Sequence, residues 1–90
     1  MKREEIIKTI KEIIRKNKIK KAYLFGSFAR KENYNDIDIA IEPPRPFSLL
    51  DLSRIANLLE ERLGISVDLI TVRSIHPKLR DSIRKEMVAI

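Results

Sequence analysis

The apolar positions of the chain follow two different rhythms. Between residues 3 and 17, Ile6, Ile10, Ile13 and Ile14 recur at helical spacing, with Ile7 at the border of the stripe. That spacing predicts an amphipathic helix. Glu4–Lys8 and Glu12–Lys16 are i,i+4 pairs in the more favourable order and support it. The polar run RKNKIKK, residues 15 to 21, then breaks the helix and reads as a solvated turn. A second long helix is predicted from about 48 to 63, with Leu49, Leu52, Ile55, Ala56, Leu59 and Leu63 on its core face. Ser48 and Asp51 have the spacing of a capping box, and Gly64 suits the position just past the last turn. Pro77 is placed to open a last helix, whose apolar stripe is Leu79, Ile83 and Met87.

The other rhythm is that of strands. KAYLF, residues 21 to 25, is a short apolar run stopped by Gly26, and it reads as a buried strand. DIDIAI, residues 36 to 41, alternates with period two: Ile37, Ile39 and Ile41 face one way, Asp36, Asp38 and Ala40 the other. The prolines of EPPRP, residues 42 to 46, end that strand, because proline cannot donate to a ladder. ISVDLIT, residues 65 to 71, reads as a third strand. SFARKEN begins a short helix with Ser27 as its N-cap. The predicted order is α-β-α-β-α-β-α, an α/β domain with helices packed on a small mixed sheet. At 90 residues the chain is expected to form one domain, residues 1–90.

Composition narrows the chemistry. There is no cysteine, which excludes disulfides and thiolate metal sites. No segment approaches the ~20 apolar residues that span a bilayer and no secretory signal is visible, so a soluble cytoplasmic protein is expected. The net charge of +6 fits an anionic partner, though a lysine-rich solvated surface gives the same value. Richness in Ile, Lys and Glu leans toward a thermophilic source.

The residues that stand out are the carboxylates inside apolar strands. Asp36 and Asp38 are two apart on a strand and point the same way. Two such charges ~4 Å apart repel by roughly 4 kcal/mol at an effective dielectric of about 20. A fold that carries them needs a raised pKa, a basic partner or a bound cation. Mg²⁺, a hard ion that takes oxygen ligands, is the natural compensator. Asp68 lies between Val67 and Leu69 in another strand and joins the pair if the two strands are neighbours. Three such carboxylates can hold one or two Mg²⁺ ions. Gly26 and Ser27, ahead of a helix, suit a phosphate: glycine permits close approach, and the helix offers free N–H groups. Arg30, one turn on, is on the same side and can pair with phosphate in bidentate fashion. His76 reads as a loop or cap residue, and Tyr23 and Tyr34 as packing residues. Arg45, Lys21 and Lys31 are further basic groups that could reach a ligand.

GSFAR, DIDIAI and VDLI together resemble the polymerase-beta-like nucleotidyltransferases, and the GSFAR form and small size resemble the minimal MntA-like branch. The resemblance spans nearly the whole chain. It departs from the family pattern in a short spacer of eight residues between Ser27 and Asp36, and in Lys31, where a glycine often follows the arginine. It implies a nucleotidyltransferase fold and a Mg²⁺-dependent reaction with ATP as substrate. Asp36, Asp38 and Asp68 would be catalytic and metal-binding; Gly26, Ser27 and Arg30 would bind the nucleotide phosphates. Asp68 would bind the second metal and help activate the acceptor hydroxyl. In such minimal enzymes the resemblance further implies an antitoxin that transfers AMP to a tyrosine of a partner HEPN-domain ribonuclease toxin, as a homo- or hetero-oligomer. The alternatives are the catalytic subunit of a small-molecule, antibiotic-type nucleotidyltransferase, or a non-catalytic toxin-binding subunit. Direct nucleic-acid binding is not expected, because the charge is spread along the chain and no nucleic-acid motif is present.

Overall fold

The computed structural model describes residues 1–90. Helix α1 runs over Arg3–Lys16, strand β1 over Lys21–Phe25, the one-turn helix α2 over Gly26–Ala29 and strand β2 over Asp36–Glu42. Helix α3 covers Leu49–Leu63 and strand β3 Ser66–Thr71, followed by a 3-10 turn at Val72–Ser74. Helix α4 covers Pro77–Glu86, and a two-residue strand β4, Val88–Ala89, closes the chain. The mixed sheet has the order β3-β2-β1-β4. β1 is antiparallel to β2 and to β4, whereas β2 and β3 are parallel, as the intervening helix α3 requires. No helix is long and apolar enough to cross a membrane.

The seven elements read from the periodicities occur in the order read, with the short strand β4 added after them. Ile37, Ile39 and Ile41 are fully buried, as are Ile6, Ile10 and Ile13 of α1 and Ile55 and Leu59 of α3. All belong to one continuous core that also takes in Leu24, Phe28, Val67 and Leu69. Ser48 caps α3 as its spacing predicts: its hydroxyl accepts from the Asp51 N–H at 3.2 Å, and Asp51 accepts from the Ser48 N–H at 2.8 Å. Gly64 ends that helix at φ 67°, in the left-handed region that glycine tolerates.

Four expectations are corrected. Leu49 is 83% exposed, so the core face of α3 starts with Leu52, which packs against the core cluster. Helix α4 buries none of its residues; Leu79 is exposed, Ile83 is only half-buried, and Met87 lies past the helix end. The stripe is present, but α4 sits at the margin of the sheet rather than over its core. The chain then returns to the sheet as β4, a pairing too short to leave an alternation signal. Finally, Ser27 does not cap α2: the helix begins at Gly26, Phe25 is the flanking residue, and no side chain caps it.

Because Ile39 is wholly enclosed and Leu49 is not, truncating them has opposite consequences. Ile39→Ala is expected to lower unfolding free energy by about 2–5 kcal/mol, whereas Leu49→Ala stays within about 0.5 kcal/mol of the natural chain. Urea denaturation of the two variants checks this.

Candidate active site

The site is built on the face of β2 opposite its isoleucines. Asp36 and Asp38 project from that face; Asp36 is exposed and Asp38 half-buried, while Ala40, next along, is fully covered. Across the parallel pair, Asp68 of β3 stands directly in register with Asp38, and Ser66 with Asp36. The pairing of β2 with β3, which the sequence alone left open, therefore brings the third carboxylate beside the first two.

On the other side of β2, Phe25 at the end of β1 is in register with Asp38. The next residue, Gly26, turns the chain into α2 at φ 70°. A Cβ built on Gly26 would collide with the Asp38 carboxylate oxygen. Glycine is required here twice over, by its left-handed backbone and by the carboxylate lying against it. Ser27 follows in the first turn of α2, whose leading N–H groups have no acceptor inside the helix. Phe28, fully buried, anchors this turn, with Tyr34 edge-on to its ring at 4.8 Å and the Arg3 guanidinium 4.4 Å from the ring centroid. Tyr34 is thus a packing residue.

Electrostatics at Asp38 reflect this crowding. Burial raises its pKa above the ordinary 3.8, and the nearby charges of Asp36 and Asp68 raise it further, with Arg30 acting in the opposite sense. In the orientations they hold, the carboxylates form no closed group of three that grips a metal ion. The donor chemistry nevertheless fits a divalent cation: three oxygen-bearing groups share one face, and the most enclosed is destabilised by its neighbours' charge, which a cation would relieve.

Arg30 flanks the C-terminal end of α2, and it is already engaged. Its Nε donates to Glu32 at 3.1 Å and its other guanidinium nitrogen to Glu86, at the end of α4, at 3.2 Å. The Arg30–Glu86 pair spans 56 positions in the chain and had no signal in the sequence. A phosphate would have to draw Arg30 away from these two carboxylates or share it with them. Lys21 pairs with Glu42 at 3.9 Å, away from the aspartates. Lys31 adopts φ 61°, which explains why glycine suits that position. His76 caps α4, its Nδ1 accepting from the Lys78 N–H at 3.1 Å.

Residues 8–90 match the family described as Polymerase beta, Nucleotidyltransferase. The chain belongs to that family. It is a nucleotidyltransferase, and its similarity to particular members is extensive. It is 47% identical to a candidate protein adenylyltransferase of Methanocaldococcus jannaschii over 96% of this chain and 95% of that one. A second protein of the same organism and description is 44% identical, over 97% and 93%. Among solved structures, a candidate minimal nucleotidyltransferase superposes with a TM-score of 0.83 at 26% identity, covering 100% of this chain and 97% of that one. A chain of the tri-AMPylated Shewanella oneidensis HEPN toxin in complex with MNT antitoxin gives 0.80 at 27% identity, over 98% and 71%.

The Asp38 environment has a measurable consequence. A folded-state pKa above the unfolded one means that folding favours the protonated carboxyl. That contribution is complete below the ordinary value near 3.8 and is lost as pH rises through the folded value. At neutral pH the ionised group therefore opposes folding. Asp38→Asn is expected to melt higher than the natural chain at pH 7 in the absence of metal, with the difference shrinking as pH falls toward 4. Calorimetry across that range checks the sign.

Proposed function

We propose that the protein transfers AMP from ATP to a tyrosine hydroxyl of a cognate HEPN ribonuclease toxin and thereby acts as its antitoxin, in a reaction that requires Mg²⁺. The observation that carries this reading is the juxtaposition of Gly26 with Asp38, with Asp36 on the same face and Asp68 in register across the sheet. Support for the protein acceptor comes from the similarity to proteins named as candidate protein adenylyltransferases, and from the toxin complexes among the structural neighbours. One neighbouring toxin–antitoxin structure is described as containing AMP-PNP, an ATP analogue, which favours ATP as the donor.

Each residue has a part. Gly26 lets the chain turn tightly against Asp38, and the N–H groups and hydroxyl at Ser27 in that turn would supply donors to a phosphate. Arg30 adds a planar cation that exchanges its glutamate partners for phosphate oxygens. Asp36, Asp38 and Asp68 would hold Mg²⁺, which when bound neutralises the triphosphate's charge. Asp68 would also help activate the acceptor hydroxyl. The hydroxyl oxygen bonds to the α-phosphorus as the bond to the β-phosphate oxygen breaks, pyrophosphate leaves, and the hydroxyl proton passes to solvent. Rate enhancement would come from position and charge neutralisation on a rigid strand.

Incubation with a HEPN-domain partner and Mg-ATP, followed by intact-mass measurement, is expected to show an adenylyl adduct on the partner's tyrosine. The double variant Asp36→Asn, Asp38→Asn is expected to reduce adduct formation by at least about a hundredfold. If the natural chain, properly folded, yields no adduct, the adenylylation reading fails. If the double variant still neutralises the partner fully, neutralisation proceeds by contact alone.

A further inference from the structure

A second cluster of charge lies beyond the aspartates, at the far end of β2. Glu42 and Pro43 there meet the 3-10 turn after β3 and the exposed side of α4, enclosing a cavity of about 300 Å³. Arg45, Arg73, Arg80 and Arg84 line it, and Glu42 is its only acidic residue. Glu42 is itself paired with Lys21, and none of the four arginines forms a salt bridge.

Four guanidiniums from three separate segments have thus been brought to one cavity against a single carboxylate, Glu42, that pairs with Lys21 and with none of them. Arg80 is the most enclosed: one terminal nitrogen donates to the Ile75 carbonyl at 3.3 Å, and its Nε is buried with no hydrogen-bond partner. A buried donor left unmet costs about 1–3 kcal/mol. Like charges gathered in a concave site also raise the local concentration of anions. Arginine rather than lysine at all four positions suits planar, two-pronged contacts with phosphate.

Position suggests which phosphate. Glu42 projects from the same face of β2 as Asp36 and Asp38, and it lies four residues beyond Asp38. At about 3.3 Å per residue the cavity is roughly 13 Å from the carboxylates. That is too far for the triphosphate held at Gly26, but near enough for a nucleotide attached to the group being modified. We propose that this arginine pocket binds the phosphate of an adenylate already carried by the acceptor, and so retains a modified acceptor for further rounds of transfer. The inference rests on the adenylyltransferase reading above; a complex holding a tri-AMPylated toxin among the structural neighbours shows that one acceptor can carry several adenylates. In each round a hydroxyl of the retained acceptor would bond to the α-phosphorus of a fresh ATP. Pyrophosphate would leave and the hydroxyl proton would pass to solvent.

The test is binding of 5′-phosphorylated adenylyl-adenosine by calorimetry, with Mg²⁺ and AMP-PNP kept saturating. Arg73 and Arg84 are exposed, so Arg73→Gln with Arg84→Gln leaves the core intact. The natural chain is expected to bind the dinucleotide, and the double variant to bind it at least about tenfold more weakly. With a HEPN acceptor, the ratio of multiply to singly adenylylated product is expected to fall in the same variant. Affinity for the dinucleotide unchanged by the substitutions overturns the proposal. So does pyrophosphate binding as tightly as the dinucleotide, which would make the pocket a product site, or an acidic peptide binding as tightly, which would make it a protein contact. The binding assay needs no turnover, so it reports on the pocket even if the adenylylation reading fails.

Discussion

Everything at the site depends on one strand being held immobile from behind. β2 lies between β1 and β3, and its three isoleucines sink completely into the core formed by α1 and α3. A strand has only two faces, so securing one dictates where the other points. A slip of one residue would bury Asp36 and Asp38 and expose Ile37 and Ile39, a change no domain of this size could absorb. The apolar face is therefore what aims the carboxylates, and the precision of the site is inherited from the core.

Against that fixed strand, the remaining parts of the site are brought in by the ends of neighbouring elements. β1 ends beside Asp38 and turns sharply at Gly26. β3 carries Asp68 into register from the opposite side. The result is a strained electrostatic arrangement in which the half-buried Asp38 carries a raised pKa. Beyond the fully covered Ala40, the strand ends at an arginine-lined cavity where the excess is of opposite sign. Negative charge at one end and positive at the other give the two ends of the strand opposite electrostatic character.

Helix α4 and Arg30 show why long-range charge was invisible beforehand. The apolar stripe of α4 was legible, yet the helix buries nothing fully; its contribution lies in polar side chains that reach other segments. Glu86 meets Arg30, and Arg80 and Arg84 join Arg45 and Arg73. Surface ion pairs have no periodicity, and each partner is equally compatible with solvent, so nothing local distinguishes a paired charge from a solvated one.

By itself, the sequence determined the elements, their apolar faces, the capping of α3 and the side of β2 on which the aspartates stand. Those properties follow from spacing, because side-chain direction repeats every two residues in a strand and every 3.6 in a helix. It also marked Gly26 as the end of one apolar run and Asp68 as a carboxylate inside another. Only the tertiary structure decided that β3 lies beside β2, and hence that Asp68 faces Asp38. Only it decided that β4 completes the sheet, that Arg30 is shared between two glutamates, and that the four arginines converge. Strand order and charge convergence are set by how buried surfaces from distant segments pack together, and the local rhythm of a chain carries no record of that packing.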